Sequence, residues 1–217
     1  MPDATSRLAE IRDQIARSAA IAGRDAADVT LIAVSKTRDA EEIRPLLEAG
    51  HRDFGENRVQ EAESKWSALR GDFPDVRLHM IGQLQSNKAE AAASLFDVIH
   101  SVDRNSLVKA LGKLDAAPPV FLQADIGEEE QKGGCALSAL PDLKARAQSA
   151  GLHVEGLMCL PPADREPAPY FALLAEHARR LGLAELSMGM SADFETAVLL
   201  GATHVRVGTA LFGPRAA

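Results

Sequence analysis

Leu31-Ile32-Ala33-Val34-Ser35-Lys36 is an apolar, largely branched run that stops at a lysine, and an amphipathic pattern over residues 40–49 follows it. A short buried strand leading into a helix is the repeating unit of a parallel sheet. Strand-like runs at residues 31–35, 52–55, 78–82, 98–102, 120–125, 154–159, 186–189 and 205–208 alternate with helical patterns at 40–49, 58–69, 86–95, 105–113, 137–150, 169–181 and 193–200. Eight such strands in a chain of 217 residues predict an α/β fold, a closed (β/α)8 TIM-type barrel; an open doubly wound sheet is the other arrangement the alternation allows. An extra N-terminal helix precedes the first strand, with Leu8, Ile11, Ile15 and Ala22 on one stripe behind a Thr5/Ser6 cap. Gly50, Gly71, Gly151, Gly182 and Gly201 follow helical patterns, where a glycine turns the chain left-handed.

No linker interrupts the alternation, so residues 1–217 are expected to form one domain, and a hydrophobic content of 46% supplies its core. A formal net charge of -7 and an aromatic content of 4% argue against a nucleic-acid partner, which needs basic surface and stacking platforms. The amino end lacks a basic segment followed by an apolar one, and no run is long enough to cross a membrane. Cys135 and Cys159 stand far apart, outside any CxxC pair, which predicts free thiols and a cytoplasmic protein. Charged helix faces without an apolar seam predict a monomer. His51, His100, His153, His177 and His204 are assigned to element boundaries or helices, with no metal-ligand spacing such as HExxH, so no metal is expected.

In a barrel of this kind ligands sit at the carboxyl ends of the strands, so the polar residue closing each strand is the one to inspect. Lys36 closes the first strand. At the mouth of an apolar sheet its amine is partly desolvated, which disfavours the ammonium form and suits Schiff-base chemistry; the plain alternative is a lysine snorkelling from a strand end. Glu56 and Asn57 close the second strand. Ser191 is a candidate N-cap for the helix after the seventh, and Gly208 and Thr209 follow the eighth, so this quarter offers backbone amides and hydroxyls to a phosphate.

A phosphate clamp facing a lysine suits a ligand with both an aldehyde and a phosphate, as in pyridoxal 5′-phosphate; phosphorylated sugars are the competing class. Arg206, if it points inward, donates a hydrogen bond to a pyridine nitrogen and keeps that nitrogen unprotonated; its alternative is an ion pair with Asp125 or Glu56. His79 and Met158 pack on a flat ring if their strands aim them at it, and otherwise belong to the core. Lys132, in a glycine-bearing loop at residues 127–134, either closes over a site or is simply solvated.

Six blocks carry a resemblance over nearly the whole length: Ala33-Val34-Ser35-Lys36-Thr37, Phe54-Gly55-Glu56-Asn57-Arg58, His79-Met80-Ile81-Gly82-Gln83-Leu84-Gln85-Ser86-Asn87-Lys88, Gly156-Leu157-Met158, Ser187-Met188-Gly189-Met190-Ser191 and Arg206-Val207-Gly208-Thr209. On these the chain resembles the pyridoxal phosphate homeostasis family, similar to the N-terminal domain of alanine racemase. The resemblance implies that Lys36 holds pyridoxal 5′-phosphate as a Schiff base, that Asn57 lies beside it, and that Ser191 with residues 206–209 binds its phosphate and ring nitrogen. It implies a role in the homeostasis of the cofactor and of amino and keto acids, with PLP-dependent apoenzymes as partners. The chain departs from the family pattern at Cys159-Leu160-Pro161, on the rim of the pocket. Racemisation needs a second base on the face opposite Lys36, and the one tyrosine, Tyr170, falls in a helix. A non-catalytic protein is therefore expected, and a weak amino-acid racemase is the alternative.

Overall fold

A computed structural model describes residues 3–129 and 133–213. Its strands are β1 (Thr30–Val34), β2 (Asp53–Glu56), β3 (Arg77–Met80), β4 (Val98–Val102), β5 (Val120–Asp125), β6 (Cys135–Ala136), β7 (Val154–Cys159), β8 (Glu185–Met190) and β9 (His204–Val207). All pair in parallel, in the order β4-β3-β2-β1-β9-β8-β7-β5, and a β4–β5 pairing closes the ring. The expected eight-stranded barrel is therefore present. The two-residue β6 is an addition that the sequence reading placed in a loop: it pairs with Ala124 and Asp125 at the end of β5, beyond the last β4–β5 partner, Leu122.

The helices are α1 (Ala4–Ile21), α2 (Ala40–Glu48), α3 (Val59–Asp72), α4 (Ala89–Leu95), α5 (Asn105–Leu111), α6 (Leu140–Ser149), α7 (Ala168–Leu181), α8 (Phe194–Leu199) and α9 (Thr209–Phe212). Helix α1 starts one residue before the expected cap, because the Asp3 carboxylate accepts the Ser6 N–H at 2.7 Å. It buries Leu8, Ile11, Ile15 and Ala19; Ala22 has already left the helix. The two last helices are short, and α1 fills the gap beside them, with Arg7 Nε donating to Leu211 O and Arg24 Nη1 to Val198 O and Ala202 O. Gly50, Gly151, Gly182 and Gly201 have the left-handed φ expected of them, whereas Gly71 lies inside α3.

The main core lies outside the barrel, between sheet and helices, where Phe54, Trp66, Leu46, Leu69 and Phe171 are fully buried. Inside the barrel a smaller apolar cluster of Val98, Phe121 and Met158 shares the space with polar side chains. No helix among the described residues is long and apolar enough to cross a membrane.

Candidate functional site

Lys36 sits in a turn just past β1, and the residues on either side of it are held from behind. Glu56, at the end of β2, is fully buried on the α3 side, where its Oε1 accepts Ser35 Oγ (2.6 Å), Lys65 Nζ (2.9 Å) and Trp66 Nε1 (3.0 Å). Lys65 also donates to Ser35 O at 2.7 Å, and the Glu61 carboxylate accepts the backbone N–H of Thr37, whose φ of 63° is left-handed. A buried carboxylate is tolerable when an ammonium and neutral donors converge on it, and here that network fixes the turn carrying Lys36. Asn57 is seated by Gly82, where any side chain would run into the Asn57 backbone.

Two strands away, near the end of β8, Gly189 takes a left-handed φ of 91°, and Ser191 follows. Ser191 is not the helix cap that its position suggests. Asp193 occupies the cap position of α8, and Ser191 Oγ instead reaches sideways to accept the N–H groups of Gly208 (3.2 Å) and Ala210 (3.3 Å) beyond β9.

Arg206 is buried in β9, with Nη1 donating to Ser187 Oγ at 2.6 Å and Nη2 to Cys159 O at 2.8 Å. Burial lowers its pKa below the ordinary guanidinium value, yet an arginine keeps its charge near neutrality. The alternative ion pairs do not form among the described residues: Glu56 is taken by Lys65, and Asp125 Oδ1 accepts the Glu129 N–H. Because Arg206 uses the main chain of residue 159, the unusual cysteine there does not disturb the contact. The Cys159 thiol is pushed up to about 12 and that of Cys135 to about 11, both chiefly by burial, so neither is a thiolate near neutrality.

These groups meet around a cavity of about 390 Å³ at the carboxyl rim, lined by Lys36, Asn57, Ser191, Arg206, Gly208 and Thr209, with Ile81, Leu160 and Met190 as an apolar wall. The size suits a small ligand. An amine, a guanidinium, and hydroxyls beside backbone N–H groups face one apolar wall, which fits a flat, anionic molecule carrying an electrophilic carbon. Among the described residues, no carboxylate, imidazole, phenol or thiol is part of the lining.

Two expected residues lie elsewhere. His79 is bonded to Asp53 and His100 within the barrel, and Met158 packs with Val98 and Phe121, one layer beneath the cavity-lining Leu160. Lys132 lies outside the described residues. His100 is in the middle of β4 rather than at a boundary, and among the described residues no three metal-binding side chains form a metal-holding group. Sequence reasoning missed Ile81 and Met190, whose apolar side chains gave no signal beyond their places next to strand ends.

Residues 7–216 match the family described as alanine racemase, N-terminal domain. The chain is 43% identical to the pyridoxal phosphate homeostasis protein of Pseudomonas aeruginosa, over 99% of this chain and 97% of that one. It is 38% identical to the protein of the same name from Escherichia coli K12, over 99% and 98%. It is similar in structure to PipY of Synechococcus elongatus PCC7942 with PLP bound, at a TM-score of 0.84 and 38% identity, covering 97% of this chain and 100% of that one.

Proposed function

The chain belongs to the family of the alanine racemase N-terminal domain, and we propose that it binds pyridoxal 5′-phosphate, held as a Schiff base on Lys36, and serves the intracellular homeostasis of that cofactor and of amino and keto acids without turning over a substrate. The observation that carries this reading is the cavity itself, which joins the lysine to a phosphate-sized set of donors beside an apolar wall. The name of the Pseudomonas relative and the PLP bound to PipY support it.

The cofactor supplies an aldehyde that an amine captures and a pyridine ring that withdraws electrons. The protein's own groups do the rest. Ser191 Oγ and the Gly208 and Ala210 N–H groups, already gathered at one point, hold the phosphate, with the Thr209 hydroxyl beside them. Arg206 donates toward the ring nitrogen and keeps it unprotonated, because a second positive charge beside a guanidinium is disfavoured. Ile81, Leu160 and Met190 exclude water from the ring. Racemisation requires a proton to leave one face and return on the other, and the lining side chains among the described residues include no carboxylate, imidazole, phenol or thiol to serve as the second base. PLP-dependent apoenzymes are the proposed recipients, and the protein acts as a monomer.

Borohydride reduction of the protein incubated with pyridoxal phosphate, followed by peptide mapping, is expected to place a pyridoxyl group on Lys36 and to give none in Lys36→Ala. An adduct confined to another lysine, or no binding at all, overturns the proposal. Loss of optical activity of L-alanine above the Lys36→Ala background would make the protein a racemase instead.

A further inference from the structure

A single chain of hydrogen bonds crosses the barrel from its amino-terminal end to Arg206. Asp53, the first residue of β2, accepts His79 Nε2 at 3.1 Å and Arg77 Nε at 2.9 Å. His79 Nδ1 lies 3.0 Å from His100 Nε2, His100 Nδ1 lies 2.9 Å from Ser187 Oγ, and Ser187 Oγ accepts Arg206 Nη1. Strands β4 and β8 are not neighbours in the barrel, so the bond from His100 to Ser187 spans its interior. His79, His100 and Ser187 are wholly buried.

The two ends fix the direction of every bond. A guanidinium has only protons to give, and a carboxylate has only lone pairs. Ser187 accepts from Arg206 on one lone pair, and with neutral rings ordered from the Asp53 end its own proton goes to His100 Nδ1. His100 must then carry its proton on Nε2 and give it to His79 Nδ1, and His79 must carry its proton on Nε2 and give it to Asp53. Each ring nitrogen in the series makes one bond, and both rings are neutral in this order. An extra proton on either ring would put two hydrogens between one pair of atoms, or strip Ser187 of its acceptor.

The surroundings reinforce the neutral His100 ring. Burial, with His79, His204 and Arg206 nearby, drives the His100 pKa well below the ordinary imidazole value. Phe121 stacks on His100 at 4.3 Å and the His204 ring lies 5.7 Å away, while Arg77 and Asp53 face the chain at its outer end.

We propose that Asp53, His79, His100 and Ser187 are positioning residues for Arg206. A serine hydroxyl alone rotates among its staggered wells; bound to His100 it turns a fixed lone pair toward Nη1. With Cys159 O holding Nη2, the guanidinium is held at both ends, and Arg206 lines the cavity. The consequence for the ligand rests on the pyridoxal phosphate reading, whereas the bond order does not.

Nitrogen-15 NMR of the imidazoles in the full chain tests the order without any cofactor. Both His79 and His100 are expected to be neutral with the proton on Nε2 near neutral pH, and a proton on Nδ1 of either ring overturns the proposal. The second arm measures pyridoxal phosphate dissociation constants. Ser187→Ala, which removes a bond to a charged donor, is expected to weaken binding about tenfold and to release His100 from its single tautomer. Asp53→Ala acts from the far end of the chain and is expected to weaken binding and shift the bound cofactor's absorbance, while Asp53→Asn, which keeps an acceptor oxygen, restores both. Wild-type affinity and spectrum in both Asp53→Ala and Ser187→Ala overturn the proposal; if Ser187→Ala does not fold, Asp53→Ala decides alone. Failure of the wild type to bind pyridoxal phosphate would remove the cofactor reading and leave the NMR result standing.

Discussion

The two sides of the β-barrel are built from different chemistry. Outside, between sheet and helices, Phe54, Trp66, Leu46, Leu69 and Phe171 form a continuous apolar layer. Inside, Val98, Phe121 and Met158 are outnumbered by buried polar residues, among them His79, His100, Gln123, Ser187 and Arg206. The apolar layer has the larger burial and supplies most of the stability, at about 1.5–3 kcal/mol for each fully buried large side chain. The interior spends much of its volume on groups that must each find a hydrogen bond, which gains little net energy and fixes geometry instead. Stability and the placement of Arg206 are thus separated by the thickness of one sheet, whereas the turn carrying Lys36 is held from the outer side by Glu56, Lys65 and Trp66.

Three measurements bear on that separation. The largest effect is expected from Phe171→Ala on α7, an outer-layer truncation that should cost about 3–5 kcal/mol in denaturant unfolding while the folded fraction keeps its ligand affinity. A matched loss of affinity would show that the two sides are not separate. Acid should act next, and on the histidines. Burial holds His204 at about 3 and His51 at about 4, and lowers His100 in the same direction, against 6.5 for the free side chain. Because their folded values lie below the unfolded one, their neutral forms cost nothing above 6.5, and stability falls as pH drops from there toward the folded values. The slope reaches about 1.4 kcal/mol per pH unit for each such histidine. Thermal or urea midpoints measured across this range check it, and a flat profile between pH 6.5 and about 4 would contradict it. The smallest effect belongs to Glu176→Ala, which breaks the contacts to Arg179 and Arg180 on the exposed face of α7 and should change neither midpoint nor affinity.

The sequence disclosed the outer layer and the rim more readily than the interior. Strands β4, β5 and β7 have the bounds the apolar runs predict, because a parallel strand covered on both faces reads as an unbroken hydrophobic stretch. Lys36, Asn57, Ser191, Arg206, Gly208 and Thr209 were identifiable because every parallel strand delivers its carboxyl end to the same rim. The partners of Ser191 were not, since its contact with the Gly208 and Ala210 amides depends on the distance between two loops rather than on spacing along one. The choice between ring and core for His79 and Met158 was not legible: alternation says which face of a strand a residue occupies, but the height of its layer follows from strand tilt and stagger. A usable signal was present nonetheless. His79, His100, Gln123, Ser187 and Arg206 each interrupt an apolar strand, and polar residues recurring inside buried strands point to a shared polar interior.

Strand β1 pairs with β9, while Arg7 and Arg24 tie the first helix and the turn after it to the carbonyls of Leu211, Val198 and Ala202. Lys36 follows the first strand, and Gly208 and Ala210 follow the ninth. On the ribosome Lys36 therefore emerges early, and the contact of Ser191 with the Gly208 and Ala210 amides forms only when residues 204–210 arrive to complete the ring. A chain stopped short of β9 leaves β1 and β8 without the strand that pairs with both, so closure of the ring is the last event of synthesis rather than the first.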